Sequence, residues 1–248
     1  MKLLLDIGNT RIKSALLSGD ELLQHHAIEH AGLSSEQLQT QVLQRYGAVE
    51  SVWVANVAGA DVADRIRQAV QRVWQLDPTL VAATALHGQV HSAYAQPEKL
   101  GVDRWLCLLA TYAMHTTAQV NLIVSVGTAM TLDVLSADGQ HRGGLIVPGP
   151  NLMVGSLLQG TSDIAAFAAS GETTDAFFAD NTLGAVHQGA THACAALIEA
   201  AYRKLAINES LKVIITGGAA WRITPVLGIP VHEVNDLVLR GLAVMATT

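Results

Sequence analysis

The hydrophobic and polar positions of this chain alternate in a pattern that predicts strands first and helices afterwards. Three apolar segments, joined by the short turns GNT and SGD, are predicted to be consecutive strands at Lys2–Asp6, Ile12–Leu17 and Leu22–Glu29. Strands connected so tightly run antiparallel, so we expect a three-stranded meander. The elements expected next are a helix (Ser35–Tyr46), a strand (Ser51–Val57), a helix (Ala60–Trp74), a short strand near Thr79–Ala82 and a long helix from about Asp103 to Thr117.

The same order of elements begins again at Asn121. Strands are predicted at 121–127, 130–136, 142–149, 212–218 and 231–234, and helices at Asn151–Leu158, near Thr161–Ala169, at Leu183–Leu205, after residue 218 and at the C-terminus. This repeat predicts an α/β protein built from two duplicated domains of the order β-β-β-α-β-α-β, at residues 1–117 and 118–248. Two such domains with facing polar turns would form a cleft between them, where ligands commonly bind.

The composition narrows the class of protein. Half of the 248 residues are hydrophobic and only 15% are charged, which excludes a disordered chain. The net charge of -6, without any cluster of lysines and arginines, disfavours nucleic-acid binding. Cys107 and Cys194 lie far apart and predict neither a disulfide framework nor a thiolate metal site, which is typical of the reducing cytoplasm. No apolar run of about 18 residues predicts a membrane span.

The stretch DIGNT, at the end of the first strand, is the first candidate site. Gly8 permits a close backbone approach, Asn9 and Thr10 offer donors to phosphate oxygens, and Asp6 is placed to organise Mg²⁺. Lys13 lies three residues further on, within reach of the same phosphate. The alternative is an ordinary tight hairpin turn that happens to contain polar residues.

A second stretch, VGTAMTLD, has the same character in the second half of the chain. Gly127 and Thr128 occupy the turn, and Thr131 and Asp133 follow on one face of the next strand, because side chains alternate with a period of two. A hairpin does not require two threonines and an aspartate there. The pair of stretches therefore favours phosphate binding, with Asp133 as a second candidate ligand for Mg²⁺.

A third glycine turn, ITGGAA, follows a predicted strand and precedes a helix. Gly217 and Gly218 would let a nucleotide approach the backbone amides at this point. A glycine-rich connection between a strand and a helix, without any ligand, is the alternative interpretation.

The segment GVDR combines a glycine, a carboxylate and a guanidinium. Asp103 could accept a proton from a substrate hydroxyl, and Arg104 could hold an anionic group with two hydrogen bonds. The alternative is an aspartate favoured at a helix N-terminus and an arginine paired on the surface. Taken together, the four stretches predict an enzyme that transfers a phosphoryl group.

In chain order the stretches are DIGNT, GVDR, VGTAMTLD, GGLIVPGP and ITGGA. In this order and at this spacing they resemble type III pantothenate kinase, a member of the acetate kinase, sugar kinase, Hsp70 and actin superfamily. The resemblance runs along the whole chain. It implies two ribonuclease H-like domains, a cytoplasmic homodimer, and phosphorylation of pantothenate by ATP with Mg²⁺ as the first step towards coenzyme A.

The resemblance also implies roles for individual residues. Asp6 to Lys13 match the first phosphate loop and Thr128 the second, while Asp103 matches the general base. The positions that match pantothenate contacts are Gly101, Val102, Arg104, Tyr94 and Thr182. Two of these residues also have a purely structural interpretation, since Tyr94 could be an exposed loop tyrosine and Thr182 could cap a helix.

Ser125 departs from the family pattern. Many members carry an aspartate at this position, before VGTA, and that aspartate helps to bind a monovalent cation such as K⁺ or NH₄⁺. A hydroxyl is a weaker, uncharged ligand, so the requirement for this cation is open. If the cation is needed, backbone carbonyls or another residue must provide the missing ligand.

Two other functions remain open at this stage. One is a different small-molecule kinase or phosphatase of the same superfamily, although the chain has no inserted subdomain and carries GVDR. The other is a regulatory, partner-binding role without catalysis, since some relatives are described as accessory factors for transcription. The intact Asp6, Asp103 and Thr128 favour the kinase.

Overall fold

The fold was analysed on a computed structural model that describes residues 1–30, 32–114 and 119–247. The chain divides into two compact units, the first comprising Met1–Thr117, Asp138–His141 and Asp236–Thr248, and the second Ala118–Ala137 and Arg142–Asn235. Each unit contains one five-stranded sheet with helices packed against it, which confirms the predicted α/β class.

The first unit is built on a sheet with the strand order β3-β2-β1-β4-β5. The strands β1, β2 and β3 form the predicted antiparallel meander, and β4 and β5 run parallel to β1. The strands are β1 (Lys2–Ile7), β2 (Arg11–Ser18), β3 (Glu21–Glu29), β4 (Ser51–Asn56) and β5 (Thr79–Leu80), and a separate hairpin is formed by β6 (Leu86–His87) and β7 (Val90–His91).

Three helices of the first unit lie within its first 114 residues. They are α1 (Ser35–Gln41), α2 (Ala60–Trp74) and α3 (Val102–Met114), with short 3₁₀ turns at Leu43–Arg45 and Pro97–Lys99. Ser34 and Gln37 cap α1 reciprocally through side chain and backbone, which fixes its start. The predicted helix over Ser35–Tyr46 is therefore too long, because the chain tightens into the 3₁₀ turn after Val42.

The two faces of β1 have different partners. Leu3, Leu5 and Ile7 point to one face and are buried in a core cluster with residues of α1 and α2. The alternate positions, including Asp6, therefore belong to the opposite face. The single carboxylate of the strand is thus kept out of the apolar cluster.

The second unit repeats the topology of the first, with the strand order β10-β9-β8-β11-β12. Its strands are β8 (Val120–Val126), β9 (Ala129–Leu135), β10 (His141–Pro148), β11 (Leu211–Thr216) and β12 (His232–Glu233), and its helices are α4 (Pro150–Gly160), α5 (Ser162–Ala168), α6 (Thr182–Ala206) and α7 (Ala220–Ile223). Because β9 is antiparallel and β11 parallel to β8, the strand directions match those of β2, β1 and β4. The predicted duplication is confirmed at the level of topology.

The last helix, α8 (Leu237–Thr247), contacts α3, β1 and β2 and groups with the first unit. The sequence prediction had placed it in the second domain. A Cβ atom on Gly241 would lie only 2.1 Å from the carbonyl oxygen of Leu106 in α3, so the two helix backbones are in direct contact. The predicted boundary between residues 117 and 118, and the predicted end of α3 at Thr117, lie outside the described residues.

Candidate active site

The DIGNT stretch forms a tight connection between β1 and β2. The amide of Gly8 donates a hydrogen bond to the carbonyl of Arg11 at 3.0 Å, and Asn9 and Thr10 are exposed at the tip. The Gly8 amide is thus engaged in the hairpin, as the simple turn interpretation requires. Contacts to a phosphate from this turn would therefore come from Asn9 and Thr10 rather than from Gly8.

His30, which the sequence analysis did not single out, fixes the conformation of this turn. Its Nε2 atom lies 2.6 Å from the carbonyl oxygen of Gly8, and its backbone amide donates to the carbonyl of Thr10 at 3.2 Å. A carbonyl only accepts, so the imidazole carries its proton on Nε2. A buried histidine at the end of β3 thus supports a turn more than twenty residues earlier.

Asp6 and Lys13 face each other across the β1–β2 ladder. Burial raises the pKa of Asp6 to about 7, the nearby Lys13 ammonium opposes this shift, and the carboxylates of Asp103 and Asp236 add to it. Asp6, Lys13, Asp103 and Asp236 are therefore close enough to interact electrostatically. This places the predicted metal ligand and the predicted base within one charged cluster of the first unit.

The GVDR stretch begins α3. Gly101 caps the helix, because its carbonyl accepts the amide of Trp105, and Asp103 lies in the first helical turn. A Cβ atom on Gly101 would lie 2.7 Å from Oδ1 of Asp103, so glycine leaves the space that this carboxylate occupies. The same Oδ1 accepts the amide of Arg104 at 2.9 Å, which orients the carboxylate.

Arg104 is only 5% exposed and is not the surface-paired arginine of the alternative interpretation. Its Nη1 donates to the hydroxyl of Tyr94 at 2.9 Å, and its guanidinium lies 5.7 Å from the centre of the Tyr94 ring. Tyr94 also stacks on His141 with 6.2 Å between ring centres. Tyr94 is thus a partly buried neighbour of Arg104 and not a freely exposed loop residue.

In the second unit, the turn after β8 is shorter than the turn after β1. Gly127 donates its amide to the carbonyl of Ala129 at 2.9 Å, which leaves Thr128 alone at the tip. The backbone of Gly149 lies directly against this turn, since its amide donates to the carbonyl of Thr128 at 2.8 Å and a Cβ there would lie 2.1 Å from the Gly127 oxygen. The GGLIVPGP stretch therefore braces the second predicted phosphate turn.

The ITGGAA turn lies at the same edge of this sheet, because β8 and β11 are parallel neighbours. Gly217 has a φ of +103°, and a Cβ atom on it would lie 2.3 Å from the carbonyl oxygen of Val126. Ala219 donates its amide to the same carbonyl at 3.0 Å. The structure thus brings Gly127, Thr128, Gly217 and Gly218 together at one sheet edge.

A row of hydroxyl side chains crosses the second sheet. Ser125 pairs with Thr131 on β9 and with Thr216 on β11, so the three residues share one face. Asp133, two residues after Thr131, points to that same face and is 2% exposed. The predicted common orientation of Thr131 and Asp133 agrees with this register.

Thr182 is the first residue of α6, but it is not the helix cap. The cap is Asn181, whose side chain accepts the amide of Gly184 at 2.9 Å. The alternative interpretation of Thr182 as the capping residue is therefore wrong. Its predicted contact with pantothenate stays a prediction.

Two comparisons of the sequence with known proteins identify the family to which it is similar. A family model described as type III pantothenate kinase matches residues 2–204. The type III pantothenate kinase of Nitrosococcus oceani is 39% identical over 255 residues, which cover 99% of this chain and 94% of that protein.

Solved structures match the fold along nearly the whole chain. An archaeal actin homologue, Ta0583, matches with a TM-score of 0.53 and 12% identity, covering 99% of each chain. A Campylobacter jejuni protein assigned to the Baf family of transcriptional activators matches with a TM-score of 0.58 and 19% identity, covering 99% of this chain and 98% of that one. At these identities the likeness concerns the fold alone, and it agrees with the predicted duplicated α/β architecture.

Proposed function

The chain belongs to the type III pantothenate kinase family, and on that premise we propose which of its residues carry the reaction. The protein is a pantothenate kinase, which transfers the terminal phosphoryl group of ATP to the terminal hydroxyl of pantothenate in the first step of coenzyme A synthesis. The observation that carries this conclusion is the family match over residues 2–204, within which all the predicted motifs lie except ITGGAA.

Asp103 is the proposed general base. It lies in the first turn of α3, where the Arg104 amide orients its carboxylate. A carboxylate held in this way can accept the proton of the attacking hydroxyl as the bond to phosphorus forms. Positioning contributes most of the rate in phosphoryl transfer, so the fixed orientation of Asp103 matters as much as its basicity.

Arg104 and Tyr94 are proposed to bind the carboxylate of pantothenate, together with Gly101 and Val102. The support is the buried guanidinium and its hydrogen bond to the Tyr94 hydroxyl. A fixed guanidinium is well suited to a planar carboxylate, which it can hold with two parallel hydrogen bonds. Thr182 in the second unit is proposed as a further contact for the same substrate.

The phosphates of ATP are proposed to contact groups from both units. In the first unit these are Asn9, Thr10 and Lys13. In the second unit they are Gly127, Thr128, Gly217 and Gly218, whose backbones lie at one sheet edge. Glycine and hydroxyl groups suit this role, since backbone amides and hydroxyls donate to phosphate oxygens without a bulky side chain.

The family implies ATP together with a divalent metal ion. Mg²⁺ is usually held by one or two carboxylates and by the substrate phosphates, and it lowers the repulsion between phosphate charges. Asp6 is the first proposed ligand, because its carboxylate lies near those of Asp103 and Asp236 at the end of β1, where a bound cation would favour its ionised form. Asp133 is the second proposed ligand. Within the described ranges, no group of three or more His, Cys, Asp or Glu residues could hold a metal alone.

A monovalent cation, if the enzyme uses one, is proposed to contact the hydroxyl row of Ser125, Thr131 and Thr216. These three residues lie in register on neighbouring strands. Hydroxyl oxygens are neutral ligands, so K⁺ or NH₄⁺ would be bound more weakly here than by a carboxylate. We therefore expect at most a weak dependence of the rate on K⁺.

A homodimer is proposed from the apolar surface of the second unit. Several large apolar side chains of this unit are exposed, and a second copy of the chain would cover them. They are Leu145, Ile146, Leu152, Leu157, Phe167, Phe177 and Phe178.

The location proposed for the enzyme is the cytoplasm, where both buried cysteines would stay reduced. In the part of the chain that the structure describes, no helix has the length and apolarity to span a membrane.

The test is ADP release by the purified protein with Mg-ATP and pantothenate, with and without K⁺. We expect pantothenate-dependent turnover in both buffers and a phosphorylated product heavier by one phosphoryl group. Turnover with another alcohol but not with pantothenate would identify a different kinase of the superfamily. A folded protein with no turnover at all would favour a regulatory role and contradict the assignment.

A further inference from the structure

The ammonium group of Lys13 is held by Asp236, a residue that no motif in the sequence indicated. Lys13 Nζ lies 3.1 Å from Asp236 Oδ1, and His25 Nδ1 lies 2.9 Å from Asp236 Oδ2. Both oxygens of this carboxylate therefore have partners. The side chains of Lys13 and Asp236 are 28% and 25% exposed, so this pair is better shielded than the surface ion pairs that contribute little.

Asp236 occupies a fixed position at the start of α8. Its φ of 56° is in the left-handed region, and its carbonyl accepts the amide of Arg240 at 3.0 Å. The helix itself cannot shift easily, because Gly241 packs directly on the backbone of α3 at Leu106. The carboxylate that holds Lys13 is thus anchored by the packing of two helices.

Lys13 has a second carboxylate neighbour. Asp6 faces it across the β1–β2 ladder. A lysine has four rotatable bonds and can approach either carboxylate, so the position of its ammonium depends on which of the two holds it. The contact with Asp236 gives the ammonium a fixed attachment.

We propose that Asp236 is a positioning residue, which holds the Lys13 ammonium in place to meet the phosphates of ATP. The inference rests on the proposed function, in which Lys13 contacts phosphate. An ammonium carries three donors, so Lys13 can keep its bond to Asp236 and still donate to a phosphate oxygen. Ordering the lysine before ATP arrives reduces the side-chain entropy lost on binding. Asp236 lies beyond residues 2–204, so the family match does not cover it.

The test is a double-mutant cycle on Lys13 and Asp236. Asp236→Asn keeps the shape and tolerates the left-handed backbone but removes the charge that holds Lys13. We expect kcat/KM for ATP to fall about tenfold, within the range of direct side-chain couplings. In the Lys13→Met background the same change should have almost no further effect. Asp236→Glu should recover part of the loss.

A matched control is Glu209→Gln, which breaks another partly exposed ion pair, to Arg142 at 2.6 Å in the second unit. It should leave kcat/KM for ATP unchanged. Wild-type kinetics of Asp236→Asn would overturn the inference, and so would an equal loss with and without Lys13, which indicates a merely structural role.

The binding of Mg-ATP, measured by calorimetry on the same variants, separates this inference from the proposed function. The protein could fail to phosphorylate pantothenate and still show the coupling between Lys13 and Asp236 in its Kd for Mg-ATP. That result would support the role of Asp236 and contradict pantothenate as the substrate. Active enzyme without any coupling would keep the function and overturn the inference.

Discussion

The two units share one strand topology, yet they place different chemistry at equivalent positions. Asp6 in β1 and Ser125 in β8 each lie two residues before the glycine of the following turn. Asp6 pairs across its ladder with Lys13, whereas Ser125 pairs with Thr131. The first unit therefore carries ionisable groups at these positions, where the second carries hydroxyls. Equivalent backbone pairing thus positions a carboxylate opposite an ammonium in one unit and two hydroxyls opposite each other in the other.

The turns that follow these strands differ in a related way. The amide of Gly8 donates to the carbonyl of Arg11, three residues further on, whereas the amide of Gly127 donates to the carbonyl of Ala129, only two residues further on. The shorter turn is braced by the backbone of Gly149, whereas the longer one is held by the side chain of His30. The turn of the second unit thus depends on glycines at close backbone contacts, and the turn of the first on a polar side chain.

The largest effect that tests this comparison is expected from Asp103→Asn in the first unit. The amide side chain can still accept the Arg104 amide, but it cannot take the proton of a hydroxyl. We expect kcat to fall at least about 100-fold, with little change in the KM for pantothenate. Steady-state kinetics of the purified variant would measure this.

The control for Asp103→Asn is Asp61→Asn, which makes the same change in the first turn of α2. It removes the favourable interaction of a carboxylate with a helix N-terminus but touches no proposed site. Its kcat should match that of the wild type. An unaltered kcat in Asp103→Asn would remove the base from the mechanism.

A smaller effect, on stability, is expected from Gly217→Ala in the second unit. The methyl group would collide with the Val126 carbonyl at 2.3 Å, and alanine is strained at a φ of +103°. We expect a loss of about 1–3 kcal/mol in the free energy of unfolding. Denaturant titration followed by circular dichroism would measure it.

The neighbouring Gly218→Ala is the matched control, since a Cβ there meets no atom within 4 Å. Its stability should stay close to that of the wild type. Equal stabilities of the two variants would show that the second unit does not depend on the close contact between its turns.

Local patterns were enough to predict most of the fold. The strands of the meander follow from alternation, and α2 was predicted with its observed bounds, because its apolar residues repeat at helical spacing. The hairpin at Leu86–His91 was missed, although Gly88 with a φ of 57° is a usual turn residue.

Contacts between distant segments could not be predicted in this way. Asp236 meets Lys13 across 223 positions of the chain, and Gly241 meets Leu106 across 135 positions. Neither residue belongs to a motif, and a glycine within a helix carries no signal about its partner. The motifs identified the candidate residues of the site. They did not identify His30, which contacts the turn at Gly8, or Asp236, which contacts Lys13.

The smallest effect concerns the pH dependence of stability in the first unit. The pKa of Asp6 is raised from 3.8 to about 7 by burial, so between these values the folded state binds a proton that the unfolded state has lost. This contribution to stability is complete below about pH 4 and is lost as the pH rises to about 7. Asp6→Asn removes the dependence, because an amide does not ionise.

In the absence of nucleotide and metal, Asp6→Asn should therefore be more stable than the wild type at pH 8 and nearly equal to it at pH 4. The gain in the free energy of unfolding is expected to be on the order of 1 kcal/mol, or about 2–4 °C in Tm. It is smaller than the full pKa shift of Asp6 would give, because this residue is only partly buried and solvent screens its charge. Asp20→Asn, in the exposed turn between β2 and β3, controls for the loss of a carboxylate. A parallel pH dependence of wild type and Asp6→Asn would show that the charged cluster leaves Asp6 ionised. The contrast between the charged pair of the first unit and the hydroxyl pair of the second would then stand, but without a proton held on Asp6.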